Sequence, residues 1–158
     1  MIESSRPQTI AYLDSNVFIY ALEGEQLVAE PLQRMFSALR RCAGAFVTSE
    51  LTLAEVLAPN KIRGAVPAPL RRKYMNLIVW NSSVQLQPVS RGVLYETAEL
   101  RKRTGQKLPD AIHSVTAIQS QCRFLMSGDR GMKKLPPWMT LLDTDFTGVD
   151  SFIEAAGV

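Results

Sequence analysis

The chain has 158 residues, 46% hydrophobic and 21% charged, with a formal net charge of +3 and a pI near 9.0. That is the size and balance of one folded domain with a sizeable core, and it excludes a disordered or repeat chain. No apolar run approaches the roughly 20 residues a bilayer span needs, and the opening MIESSRPQTIAYLDS has no basic-then-apolar leader pattern, so a cytoplasmic protein is expected.

In chain order, TIAYL (9–13) is a short apolar run ending at Asp14 and predicts a buried strand. SNVFIYALEG predicts a helix stopped at Gly24. Val28, Leu32, Met35, Phe36 and Leu39 carry helical spacing from Val28 to Arg41. AFVTS (45–49) predicts a second strand, and ELTLAEVLA (50–58) a short helix ended by Pro59 and Asn60. Residues 60–68 read as a loop, and Pro69 to Val79 as a basic amphipathic helix. VQLQPV (84–89) alternates as a strand, and Ser90 predicts an N-cap for a helix through Arg103. LPDAIHSVTAIQSQ (108–121) is a helix with Pro109 at its start. RFLMS (123–127) is a strand followed by a GDRG turn, and TLLD (140–143) is a last short strand. Strands separated by helix pairs imply an α/β fold with a mostly parallel sheet. In such sheets, sites form beyond the carboxyl ends of the strands.

Four acids stand out against this frame. Asp14 follows the first strand, where an aspartate can equally be a helix cap. Glu55 sits among apolar residues of LTLAEVLA, where a bare carboxylate needs a partner or a metal, unless its position is the exposed one. Asp110 follows Pro109 at a helix start, where it also suits the helix dipole. Asp129, beside Gly128, follows a strand and reads equally as a turn residue. Together, four acids at one rim would repel one another without a cation. Cys42 and Cys122, with no CxxC spacing, and the single histidine, His113, are too few for a zinc site. Oxygen donors favour Mg²⁺ or Mn²⁺.

Charge is unevenly spread. No acid occurs from Val56 to Tyr95, a stretch that contains Lys61, Arg63, Arg71, Arg72, Lys73 and Arg91, and a second basic run holds Arg101, Lys102, Arg103 and Lys107. With the four acids set aside, 18 basic residues face 11 acidic ones, a net +7. A basic surface around an acidic pocket suits a polyanionic substrate, although each run alone also reads as a solvated helix face. His113, one helical turn after Asp110, reads first as a structural histidine, and both cysteines as small buried side chains. Tyr12, Phe18, Tyr20 and Phe36 are expected in the core. Trp80 and Trp138 are read as packing or interface residues ahead of base-stacking ones. The group Met35, Phe36, Leu39, Tyr74, Met75 and Leu77 reads either as core or as a dimer face.

The strings AYLDSNVFIYAL, VTSELTLAEVL, KLPDAIHSVTAI and FLMSGDRGM, in this order, resemble the successive signatures of the PIN-domain family, most closely its VapC-type toxins. The resemblance implies a single PIN-like three-layer αβα sandwich (core about 9–145) with a short, mostly parallel central sheet. It implies a Mg²⁺- or Mn²⁺-dependent endoribonuclease that leaves 5′-phosphate and 3′-hydroxyl ends. Asp14, Glu55, Asp110 and Asp129 match the family's metal-holding catalytic acids, with Asn16 and Ser127 as supporting positions. It also implies a homodimer and, for a toxin, a cognate antitoxin. Arg71, Arg72, Lys73, Arg101, Lys102, Arg103 and Lys107 are the expected contacts to the RNA backbone. Rival readings differ at particular residues. A haloacid-dehalogenase-type phosphatase needs an acid two residues after Asp14, where Asn16 stands; a non-catalytic binding module would be expected to lose acids. An RNA-maturation nuclease differs from a toxin only in its biological role. A dinucleotide-binding domain is excluded by the absence of GxGxxG.

Overall fold

The computed structural model describes residues 10–129 and 134–158. Thr9 of the first expected strand, and Arg130 and Gly131 of the GDRG turn, fall outside that range. The elements run β1 (Ala11–Leu13), α1 (Ser15–Glu23), α2 (Gln26–Ala38), β2 (Phe46–Ser49), α3 (Leu51–Val56), α4 (Ala68–Ile78), β3 (Val84–Gln87), α5 (Arg91–Thr104), α6 (Leu108–Gln119), β4 (Phe124–Met126), β5 (Thr140–Leu142) and α7 (Phe146–Ala156).

All four strand pairings are parallel, in the order β3-β2-β1-β4-β5. The chain winds outward from β1 through β2 to β3, then crosses back to lay β4 on the other side of β1. The β1–β4 junction is therefore the switch point of the sheet, where diverging connections leave a crevice at the carboxyl rim. Strand residues alternate between two helical layers. Ala11, Leu13, Phe46, Phe124 and Met126 face α1, α2 and α7, while Tyr12, Val47 and Leu125 face the α6 side with Ala117 and Cys122. On the first face a file of rings, Phe18, Phe36, Phe46, Phe152 and Phe124, runs with centroids 5.3–5.8 Å apart, the offset and tilted spacing aromatic pairs favour. This is the expected αβα sandwich.

Several expectations change in detail. Gly24 does end α1, but with an ordinary extended backbone (φ −71, ψ 157). It is needed because a Cβ there would meet the Tyr20 carbonyl oxygen at 2.5 Å. The helix expected over 50–58 is only six residues long, which puts Glu55 in its last turn. A seventh helix, α7, continues beyond the last expected strand and sinks Val149 and Phe152 into the core. Met35, Phe36, Leu39 and Tyr74 are core residues, and Met75 and Leu77 are half-buried. Trp80 and Trp138 do not pack inside: they are 66% and 50% exposed. Cys122 is buried, and burial pushes its thiol up to about 12; Cys42 is half-buried.

Candidate active site

Asp14 leaves β1 at the switch point and caps α1. Its backbone N–H bonds the Met126 carbonyl of β4 at 3.1 Å, and its own carboxylate accepts the Ser15 N–H at 2.8 Å. A carboxylate this buried is costly unless its oxygens are satisfied. The other oxygen, Oδ2, accepts the Ser127 hydroxyl at 2.7 Å and the Asn16 amide at 3.2 Å. The same Ser127 hydroxyl oxygen accepts the Asp129 N–H at 2.9 Å, and Asn16 Oδ1 accepts the Gly128 N–H at 3.1 Å. One clasp thus ties the exits of β1 and β4 together and sets the backbone of Asp129 beside Asp14. Asn16 and Ser127, the expected supporting residues, are its two working parts.

Glu55 reaches the same place from α3. Its Oε1 accepts the Ser15 hydroxyl at 2.9 Å and lies 2.6 Å from His113 Nε2. Burial works to raise this carboxyl, but the hydrogen bond and attraction from His113, with the Ser15 hydroxyl, outweigh it and bring it below its ordinary 4.5. Asp110 stands in the first turn of α6, whose N-terminus points to the rim. Burial and the negative charges of Asp129 and Asp14 push its carboxyl above its ordinary 3.8, against the opposing pull of His113 and Lys107. That response places Asp110 within electrostatic reach of both aspartates. Asp14 and Glu55 thus meet through Ser15, the Asp129 backbone is tied beside Asp14 by Ser127, and Asp110 lies near enough to feel the charges of Asp14 and Asp129.

The sequence reads His113 first as a structural histidine, and its buried ring is indeed partnered on both nitrogens; Ser15 was passed over. The ring of His113, 1% exposed, touches the site directly, and Ser15 bridges Asp14 and Glu55. The signal for His113 was its position one turn after Asp110, on the same side of a helix; Ser15 had no signal beyond its adjacency to Asp14.

Among the described residues, no three acidic, histidine or cysteine side chains form a ready-made metal cage. A hard cation does not require one: Mg²⁺ keeps several waters and commonly takes only one or two protein carboxylates. The donors here are carboxylate oxygens, and the crowding that raises Asp110 is the repulsion a divalent ion would relieve. The residues fit a hydrated Mg²⁺ or Mn²⁺.

The PIN domain family model matches residues 11–136. Among solved structures, the chain is similar to a toxin–antitoxin complex from Klebsiella pneumoniae, at 22% identity and a TM-score of 0.59, over 85% of this chain and 97% of that one. It is also similar to VapBC2 from Rickettsia felis bound to a DNA fragment from their promoter, at 16% identity and a TM-score of 0.62, over 85% of this chain and 98% of that one. At these identities the likeness establishes the fold. No curated protein sequence matches the chain.

Proposed function

The chain belongs to the PIN-domain family, and from that premise we propose that it is a metal-dependent endoribonuclease, the toxin of a toxin–antitoxin pair. The observation that carries the reading is the buried Asp14 carboxylate at the switch point, held by Ser15, Asn16 and Ser127, with Glu55 joined to it through Ser15. A rim of mutually repelling carboxylates at the sheet's switch point is built to receive positive charge.

Asp14 and Asp110 would hold Mg²⁺ or Mn²⁺ most directly, with Glu55 and Asp129 completing the site partly through water. An ion held there supplies activation of water and neutralisation of charge on a phosphodiester. The chain's own groups do the positioning. Ser127 and Asn16 fix the Asp14 carboxylate, and Ser15 and His113 fix Glu55. The exposed cations Arg71, Arg72, Lys73, Arg101, Lys102, Arg103 and Lys107 grip the RNA backbone without reading its sequence. The toxin role and an antitoxin partner are supported by the similar structures, which are toxin–antitoxin complexes. A homodimer acting in the cytoplasm accords with that role, and no helix among the described residues is long and apolar enough to cross a membrane.

The test is cleavage of an end-labelled transfer-RNA mixture with Mg²⁺ or Mn²⁺ and with EDTA, beside Asp14→Asn and Asp110→Asn. The expected result is cutting that needs the metal, leaves 5′-phosphates, and falls at least 100-fold in both variants. Cutting that survives both substitutions would place the active centre elsewhere. A folded wild-type protein that cuts nothing under either metal would favour a non-catalytic binding module.

A further inference from the structure

His113 sits in a stretch of α6, Ala111–Ala117, that is buried throughout, and its two ring nitrogens face different partners. Nδ1 lies 2.6 Å from the Tyr12 hydroxyl, and Nε2 lies 2.6 Å from Glu55 Oε1. Behind them, the Tyr12 oxygen accepts the Ser49 N–H at 3.1 Å. The carboxylate can only accept, so Nε2 carries a hydrogen toward Glu55. Nδ1 and the Tyr12 hydroxyl share the other hydrogen bond of the ring, and the Ser49 N–H holds the tyrosine oxygen from behind. A buried chain therefore runs from the end of β2, through β1 and α6, to the carboxylate on α3.

Ordinary packing does not account for its endpoint. Glu55 is 31% exposed in its side chain, so solvent reaches it and burial alone does not oblige it to find a partner. Yet two donors, Ser15 Oγ and His113 Nε2, converge on one of its oxygens, Oε1. A flexible acid with three rotatable bonds is thereby ordered in advance, with Oε2 left as the oxygen that neither donor occupies. We infer that His113, oriented by Tyr12, is a positioning residue that fixes Glu55 to present Oε2 to a divalent cation at the rim. Hydrogen-bonded partners behind a ligand characteristically change metal affinity by 10- to 100-fold when removed. The inference rests on the metal-dependent reading given above.

The test measures Mn²⁺ affinity by electron paramagnetic resonance of the free ion, without RNA, together with thermal unfolding of the metal-free proteins. His113→Leu removes the donor to Glu55. His113→Gln keeps an N–H donor at similar reach. Tyr12→Phe removes only the hydroxyl that orients the ring. The expected result is Mn²⁺ binding weakened about tenfold or more in His113→Leu and severalfold in Tyr12→Phe, with His113→Gln close to wild type. A histidine that merely fills space would change unfolding temperature and leave Mn²⁺ affinity alone. Equal affinity in wild type, His113→Leu and Tyr12→Phe would overturn the inference while the metal reading stands. If His113→Leu does not fold, Tyr12→Phe decides: affinity equal to wild type overturns the inference, and loss in Tyr12→Phe with retention in His113→Gln supports it. Failure of the wild type to bind Mn²⁺ at all would remove the metal reading, and this inference with it.

Discussion

Asp110 and Glu55 titrate in opposite senses, and that difference makes the rim testable at the scale of single residues. The folded state binds the Asp110 proton more tightly than the unfolded chain does, because burial and the charges of Asp129 and Asp14 oppose its ionisation. Its contribution to stability therefore falls as pH rises from about its ordinary 3.8 through the raised value. Glu55 behaves in reverse: its folded carboxyl is depressed below 4.5, so its contribution is present above that pH and is lost as pH falls through the depressed value. At pH 7 in EDTA, Asp110 is a net cost to the fold. Asp110→Asn should stabilise the metal-free protein, by no more than about 1 kcal/mol because the group is partly solvated. Added Mn²⁺ should then stabilise wild type more than the variant. Calorimetry in EDTA checks this, and a variant less stable than wild type at pH 7 would mean that Asp110 is paired and not repelled.

At the scale of elements, what the sequence disclosed follows from the range of the forces involved. Local signals placed Ser90, whose hydroxyl accepts the Val93 N–H at 3.1 Å, and Pro109 in the opening turn of α6. Period and strand length placed all five strands, and strand ends and helix starts placed Asp14, Asp110 and Asp129. Non-local geometry was not readable in this way. Nothing adjacent to His113 in the chain announces Tyr12, 101 residues away, or Glu55, 58 residues away. The helix α7 was a different omission. Val149, Phe152, Ile153 and Ala156 carry helical spacing, but Gly148 in the first turn and Asp150 beyond it lower the intrinsic propensity. That glycine has a tertiary reason. A Cβ at Gly148 would meet the backbone carbonyl oxygen of Asp143 at 1.9 Å, while the Gly148 N–H donates to the Asp145 cap at 2.9 Å. No flexible side chain is there to yield. Gly148→Ala should therefore cost about 1–3 kcal/mol through forced backbone movement, read as a fall of roughly 3–10 °C in unfolding temperature. An unchanged melt would show that α7 docks loosely against the exit of β5.

At the scale of the whole molecule, the two basic clusters do not have equal claims on a substrate. The last turn of α5 carries Arg101, Lys102 and Arg103, and the chain turns at Gly105 with a left-handed φ of 67 directly into Lys107, the N-cap of α6. Lys107 lies close enough to Asp110 to pull its carboxyl downward, so this cluster borders the acidic rim. The cluster Arg71, Arg72 and Lys73 lies on α4, in the other helical layer, and is not among the charges that act on Asp110 or Glu55. A polyanion bound across the rim should meet the α5–α6 junction first. Binding of a fluorescent single-stranded RNA to the Asp14→Asn protein, followed by anisotropy from about 50 to 200 mM salt, separates the two surfaces. Each phosphate contact on a single strand adds about 0.7 to the slope of log affinity against log salt. Replacing Arg101, Arg103 and Lys107 with alanine should flatten that slope by roughly 2. Replacing Arg71, Arg72 and Lys73 should flatten it by less. Equal losses would mean that the RNA path wraps both helical layers, and a slope changed only by the α4 set would move the entry side of the substrate to the opposite face of the sheet.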